Sequence, residues 1–362
     1  MDVTSPRKIN WEMIFALAAL DAGIIISWTA YHNFQPKLLV HFHFEHLEEF
    51  VLIAQSVVML TIPLLAGWLT DYYRRHNGSG FSVFAIGISV ASMIFMAVAF
   101  TISDQAFLNL IWLLPALIIF WLISMNVFHS PANSILEAFT KSPELPLMMA
   151  VLTVTKVIIH GLKPVLLSTL EKAGGAFTFV TGGVILIVTG IWFARSTRNL
   201  SMEHHHGDEP EKDRFHIVLL YGLLAGLCNS LILHFFPEIL QLKFGEKETI
   251  FHDHLYISLV LGIAAVAAFP LSKLVRVTGM YKSLIIGLLI GFVAMLCIVT
   301  SNIFFLSVAA SLVLALAYSL VLITAFPYAL YNISARNATF GTGLFFASFE
   351  FFEVLFGLIL HH

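Results

Sequence analysis

Cysteine is almost missing from this chain: there are two, Cys228 and Cys297, and both lie in apolar runs. A disulfide framework or a thiolate metal site needs more of them at set spacings, so both read as small core residues. Charge is scarce as well, at 11% of residues, and the net formal charge of −3 offers no basic face to a nucleic acid. The chain carries no Gly-rich phosphate loop and no nucleophile elbow, so neither a cofactor nor an enzymatic activity is expected. The N-terminal stretch MDVTSPRKINWEM lacks the layout of a cleavable signal peptide, having no small-residue cleavage site. Its first apolar run is therefore expected to stay as the first transmembrane helix.

What the chain has in excess is apolar surface. Hydrophobic residues make up 59% of it and the mean hydropathy is +0.89. A soluble domain cannot hide that much, which leaves an all-α polytopic membrane protein. A spanning helix needs about 20 largely apolar residues. Eleven segments qualify: 11–34, 47–70, 80–102, 107–139, 145–170, 175–195, 215–243, 252–275, 280–300, 303–333 and 338–360. The three long ones should tilt, bend or project beyond the bilayer, and Pro131 and Pro327 mark expected kinks near the ends of two of them.

Orientation follows from the basic residues. With the N-terminus in the cytoplasm, 13 of the 19 Lys and Arg fall on the cytoplasmic side, four fall outside, and Lys156 and Lys163 lie within a span. That positive-inside bias predicts a multi-pass protein of the cytoplasmic (inner) membrane with a cytoplasmic N-terminus. The sequons at Asn77, Asn199, Asn332 and Asn337 then face the cytoplasm, where glycosylation is not implied. One long polar stretch, RSTRNLSMEHHHGDEPEKDR, follows the sixth span. It divides the chain into an N-terminal bundle (1–195), a cytoplasmic linker (196–214) and a C-terminal bundle (215–362). The three histidines in it read as a mobile loop, since nothing nearby closes a coordination shell.

The two halves echo each other. After span 2 comes GWLTDYYRRH (67–76) and after span 8 comes SKLVRVTGMYK (272–282), each with a charge at its fifth position, Asp71 and Arg276. Corresponding polar turns in two halves suggest an internal repeat, a common architecture of secondary transporters. Here the chain resembles the major facilitator superfamily, whose motif G-x-L-x-D-R-x-G-R-[RK] joins helices 2 and 3. Gly67, Leu69, Asp71 and Arg75 match it, while Tyr72 and Arg74 depart from it. The second copy keeps Leu274 and Gly279 and has Arg276 in the acidic position. The segments SPANSILEAF (130–139), AFPYALYNIS (325–334) and GLFFASFEFF (343–352) carry a weaker likeness to glycoside- and sucrose-type sugar–cation symporters. The resemblance implies two pseudo-symmetric bundles and twelve helices. Against eleven counted here, either two spans are merged or the last family helix is missing.

Ionisable residues inside a span cost roughly 2.5–3.5 kcal/mol each on insertion scales, so each is a functional suspect. Span 5 places Lys156, His160 and Lys163 on one face (i, i+4, i+7), and span 11 carries Glu350 and Glu353. Lys156 and Glu350 both lie about 16–18 Å from the cytoplasmic end, and Asp21 in span 1 is at similar depth. Together these six are expected to be central, proton-coupling charges; the bland alternative is a static ion-pair cluster. By the resemblance, spans 1, 4, 7 and 10 line the cavity. The substrate-facing candidates are then Trp28, Tyr31, His32, Asn126, His129, Asn133, Asn229, His234, Tyr328 and Tyr331, with interhelical hydrogen bonding and interfacial aromatics as the alternative. The resemblance also implies a cytoplasmic gate built from Gly67, Asp71, Arg75, Glu137 and Arg276.

The outer loop HFHFEHLEEF (41–50) and its counterpart EKETIFHDHLY (246–256) both put imidazoles and carboxylates at the vestibule mouth. His43, His46, His252 and Asp253 are outer-gate candidates, against ordinary wet loop ends or a metal site that would need further ligands. The expected function is a proton-coupled secondary transporter of a small polar solute such as a sugar. The alternatives are an organic-anion carrier or amphipathic-drug exporter, and a membrane metal-handling protein or metalloenzyme using the outer histidines. The expected partners are that solute, a proton or other cation, and the lipid bilayer, with the protein acting as a monomer.

Overall fold

The computed structural model describes residues 9–77, 81–103, 112–136, 144–198, 213–244 and 255–360, which contain no strand. Its helices are α1 (Trp11–His41), α2 (Glu48–Asn77), α3 (Phe81–Ser103), α4 (Leu114–Ser134), α5 (Leu145–Gly161), α6 (Lys163–Ala173), α7 (Gly175–Thr197), α8 (Phe215–Ser230), α9 (Phe236–Phe244), α10 (Leu255–Thr278), α11 (Met280–Thr300), α12 (Phe304–Tyr331) and α13 (Ala338–Leu360). Backbone amides in lipid must be satisfied within the segment, which is why every apolar run is helical. Ten of these stretches, with α8 and α9 counted as one, are long and apolar enough to cross a membrane, and the bent pair α5–α6 makes an eleventh. The eleven expected segments therefore each correspond to a helix or helix pair.

The fifth segment is broken, not continuous: its two parts meet at 59°. Leu162 N–H turns back onto the carbonyls of Ile158 and His160 and ends α5. Pro164, bringing no N–H, starts a new helix. In the seventh, Leu231–Phe235 form a π turn between α8 and α9, just ahead of Pro237. Pro131 and Pro327 lie within the last turns of α4 and α12.

In the first half (α1–α7), α3 packs on α4 and α7, α1 on α7, and α2 on α4. In the second (α8–α13), α12 packs on α8, α10 and α11, and α13 packs on α8. Across the halves, α2 lies against α13 and α5 against α10. Each pair sets the second span of one half against the fifth of the other, so the cross-half contacts repeat the pseudo-symmetry. The α2–α13 crossing depends on two glycines. A Cβ on Gly67 would strike the carbonyl of Thr339, and one on Gly343 would strike the carbonyl of Pro63. Only at a small residue can two helix backbones come this close. Trp121, Phe95, Phe128 and Phe193 fill the first half. Large apolar side chains line the outward face, with Met93, Phe120, Val165, Phe292 and Phe305 at least 60% exposed, as suits contact with lipid tails.

Candidate functional site

Three ionisable side chains of the two halves lie at similar depth. Asp21, Lys156 and Glu350 stand ten, eleven and twelve residues into α1, α5 and α13, about 15–18 Å from the end where α2 passes into α3 (the α2–α3 end). The Lys156 charge acts on Asp21, on His129 of α4, on Glu350, and on His160 one turn along its own helix. The charge of one lysine therefore acts on a carboxylate of each half. Asp21 is only 3% exposed, and its Oδ1 has no hydrogen-bond partner among the described residues. A buried carboxylate oxygen without a donor carries a desolvation cost that a proton or a rearranged ammonium would relieve.

A second cluster lies nearer the opposite, α1–α2 end. His234, within the π turn, has Nε2 2.9 Å from Glu353 Oε1, and Ser230 Oγ donates to Glu353 Oε2 at 3.5 Å. Glu353 also acts on His32 and His160, and Lys163 on His32, His160 and His234. The Trp28 indole stacks on the His32 ring at 5.5 Å. His32, His160 and Lys163 are exposed while Glu353 and His234 are half-buried. His32, His160 and Lys163 of the first half and His234 and Glu353 of the second thus act on one another across the halves. A π turn exchanges one regular helix hydrogen bond for local adaptability, and such turns recur at functional positions.

The α2–α3 end is closed. Asp71, with no exposed surface, accepts hydrogen bonds from the backbone N–H of Thr339 (3.3 Å) and Phe340 (2.8 Å) at the start of α13. A carboxylate there meets both the free N–H groups and the positive end of the helix dipole. Arg74 donates to Asp71 Oδ1 at 2.6 Å and to the carbonyls of Ala335 and Arg336. Arg75 donates to Asn337 Oδ1 at 3.1 Å, and Thr339 Oγ1 donates to Ser134 Oγ. Arg276, at the corresponding place in the second half, pairs at 2.8 Å with Glu144, the residue before α5. Both motif charges thus reach the N-terminal end of the fifth span of the other half, Asp71 directly and Arg276 through a carboxylate.

Two pseudo-symmetric helical bundles meet at a closed end, and the family comparison agrees with that architecture. The Major Facilitator Superfamily model matches residues 13–356. The chain belongs to that superfamily. Solved superfamily structures share the fold at low identity. The human organic anion transporter MFSD10 (TETRAN) is 13% identical, with 96% of this chain and 92% of that one covered and a TM-score of 0.69. The E. coli fucose:proton symporter FucP is 11% identical (96% and 89%, TM-score 0.64). The proton:xylose symporter XylE is also 11% identical (97% and 89%, TM-score 0.64). No curated protein matches the chain by sequence.

The remaining candidates are spread over the superfamily fold. Asn126 Nδ2 and Asn133 Nδ2 donate to carbonyls of their own helix, at Leu122 and His129. Asn229 Oδ1 accepts from Tyr318 at 2.6 Å. Tyr31 is 2% exposed, stacks on Trp121 inside the first half and donates to Gln55. His129 lies against the Phe346 ring at 4.4 Å. Tyr328 packs between Tyr221 and Tyr281 near the α2–α3 end, where Tyr331 is half exposed. His43 and His46 are exposed at the α1–α2 end. Glu137, His252 and Asp253 lie outside the described residues. Among the described residues no three His, Cys, Asp or Glu side chains assemble as a metal site. Sequence reasoning missed Glu144, Arg74, Asp213 and Asn337 at the closed end. The available signal for Glu144, Asp213 and Asn337 was their position just ahead of helix starts, and for Arg74 its place in the last turn of α2, where polar side chains meet free backbone groups.

Proposed function

We propose that this superfamily member is a secondary active transporter of the cytoplasmic membrane that moves a small polar solute, such as a sugar, together with a proton. The excess of Lys and Arg at the α2–α3 end orients that end to the cytoplasm. In this reading the carrier is closed inward by the Asp71 and Arg276 contacts and open outward toward His32, His160 and Lys163. The observation that carries the reading is that the Lys156 charge acts on Asp21 of one half and on Glu350 of the other. When the halves rock, one ammonium cannot keep both carboxylates equally close. The carboxylate left behind takes up or releases a proton, which ties proton movement to the conformational change. Trp28, His32, Asn229, His129 and His234 supply aromatic faces and hydrogen-bonding groups suited to a hydroxylated solute along the same path.

A second reading, an organic-anion carrier, is favoured by Lys156 and Lys163 on one face of the fifth span, and the likeness to the human organic anion transporter is compatible with it. Reconstituted liposomes test both. A panel of sugars and organic anions is offered with and without an inward proton gradient while internal pH is followed. Gradient-driven accumulation with internal acidification supports coupling. Asp21→Asn and Glu350→Gln should each abolish accumulation while leaving solute exchange at equal pH. Accumulation that ignores the gradient, or that survives both substitutions, would remove proton coupling at this site. Lys156→Ala that keeps neutral sugars and loses anions decides for the anion carrier.

A further inference from the structure

The turn between α12 and α13, Asn332–Asn337, carries more free backbone polarity than either helix, and it is held from two directions. From the linker side, Arg214 N–H donates to Asn332 O at 3.0 Å and Ser334 N–H donates to Asp213 Oδ1 at 2.6 Å. From the first half, Arg74 Nη2 donates to the carbonyls of Ala335 (2.6 Å) and Arg336 (3.2 Å). The Asn337 side chain joins the two sets. Its Nδ2 donates to Asp213 Oδ2 at 2.6 Å, and its Oδ1 accepts from Arg75 Nη2 at 3.1 Å.

We propose that Asp213, at the end of the linker between the halves, is a positioning residue of the closed cytoplasmic gate, acting through Asn337. This rests on the gating reading of Asp71 above. A guanidinium only donates and a carboxylate only accepts. The Asn337 amide can satisfy both in one orientation alone, with its oxygen on Arg75 and its nitrogen on Asp213. Asp213 therefore fixes the amide in the sense that Arg75 needs. It also holds the Ser334 N–H, five residues ahead of the Thr339 N–H that Asp71 accepts. Losing Asp213 frees the amide to turn, leaves a backbone donor without its partner, and lets the start of α13 drift from Asp71. The linker end is thereby part of the latch and not a passive tether.

The test uses the full chain in nanodiscs with Cys228 and Cys297 replaced by Ala. Spin labels at Ser82→Cys and Val277→Cys, both exposed and on opposite halves at the α2–α3 end, report gate opening by pulsed electron–electron distance measurement. Asp213→Asn and Asn337→Asp each set like groups against one another and should raise the long-distance, open fraction at least about threefold. The double variant recreates a donor–acceptor pair in reverse and should return the distribution to that of the parent. Asn337→Ala, which leaves the Asp213–Ser334 bond intact, should open the gate as well and serves if the Asp213 variant does not fold. Asp71→Asn is the reference. If it opens the gate while the Asp213 and Asn337 variants keep the parent distribution, or if the double variant shows no recovery, the positioning role is overturned. If Asp71→Asn itself leaves the distances unchanged, the gating reading fails instead.

Discussion

At the scale of single residues, the histidine-rich stretch after α1 illustrates how backbone geometry can decide what a side chain is for. His43 has φ of 61°, the left-handed region. Phe44 N–H donates to Leu39 O at 2.7 Å and His43 N–H to Val40 O at 3.2 Å. These are the paired hydrogen bonds of a Schellman helix end, with His43 in the position glycine usually takes. A non-glycine residue there costs about 1–2 kcal/mol, offset in part by the extra chain entropy of a glycine. His43→Gly should therefore raise the melting midpoint by about 2 °C, and His43→Val should lower it by a similar amount. Measured in detergent alongside uptake, unchanged transport in the glycine variant would assign His43 to helix termination, and lost transport would assign its imidazole to the outer gate. The central charges were legible for a different reason. Lys156, Asp21 and Glu350 sit at computable depths on single helices, so rise per residue alone brings them level. Tyr31 was not, because helical spacing gives a face without saying whether that face meets a cleft or, as here, Trp121 of a neighbouring helix.

Among the elements, the crossing of α2 and α13 carries both the packing of the two halves and the Asp71 contacts. Gly67 and Gly343 let the two backbones touch, and Ser130 Oγ donates to the Pro63 carbonyl from α4 at 3.2 Å. Gly343→Ala should force the helices apart and cost about 1–3 kcal/mol, as overpacking does. Gly262→Ala on α10 faces open space and should be neutral or gain up to about 1 kcal/mol in helix propensity. Thermal unfolding of the two variants side by side is the check; equal midpoints would mean that the crossing tolerates separation. The spans themselves were readable from apolar length, and the α2–α3 and α10–α11 turns from their charges. The break at Leu162 and the π turn at Leu231–Phe235 were not. Both lie inside apolar runs, where hydropathy cannot report which backbone hydrogen bonds are exchanged. The Glu144–Arg276 and Asp213–Asn337 contacts were hidden as well. They join segments far apart in the chain, and nothing in the spacing of Glu144, Asp213 or Asn337 points to the partner each one meets.

For the whole molecule, the two latches at the closed end are related by pseudo-symmetry and unequal in strength. The Arg276–Glu144 pair has side-chain exposures of 61% and 21%, and a pair that open is worth at most about 1 kcal/mol and weakens with salt. Asp71 is fully buried against Arg74 and two backbone N–H groups, and removing one partner of such a buried set costs about 3–5 kcal/mol. The closed state is therefore held chiefly from the first half. A loss of about 3 kcal/mol changes the ratio of closed to open forms by roughly 150-fold. Solute binding measured in nanodiscs reads this directly, because apparent affinity for the form open at the α1–α2 end falls with the fraction of molecules that remain in it. Asp71→Asn should weaken that affinity at least several-fold at any salt concentration. Glu144→Gln should change it by no more than about fivefold, and by less as ionic strength rises, since an exposed pair is screened and a buried one is not. Equal effects of the two substitutions, or a wild-type affinity that falls steeply with salt, would show that the exposed pair bears the latch and that burial of Asp71 serves folding alone.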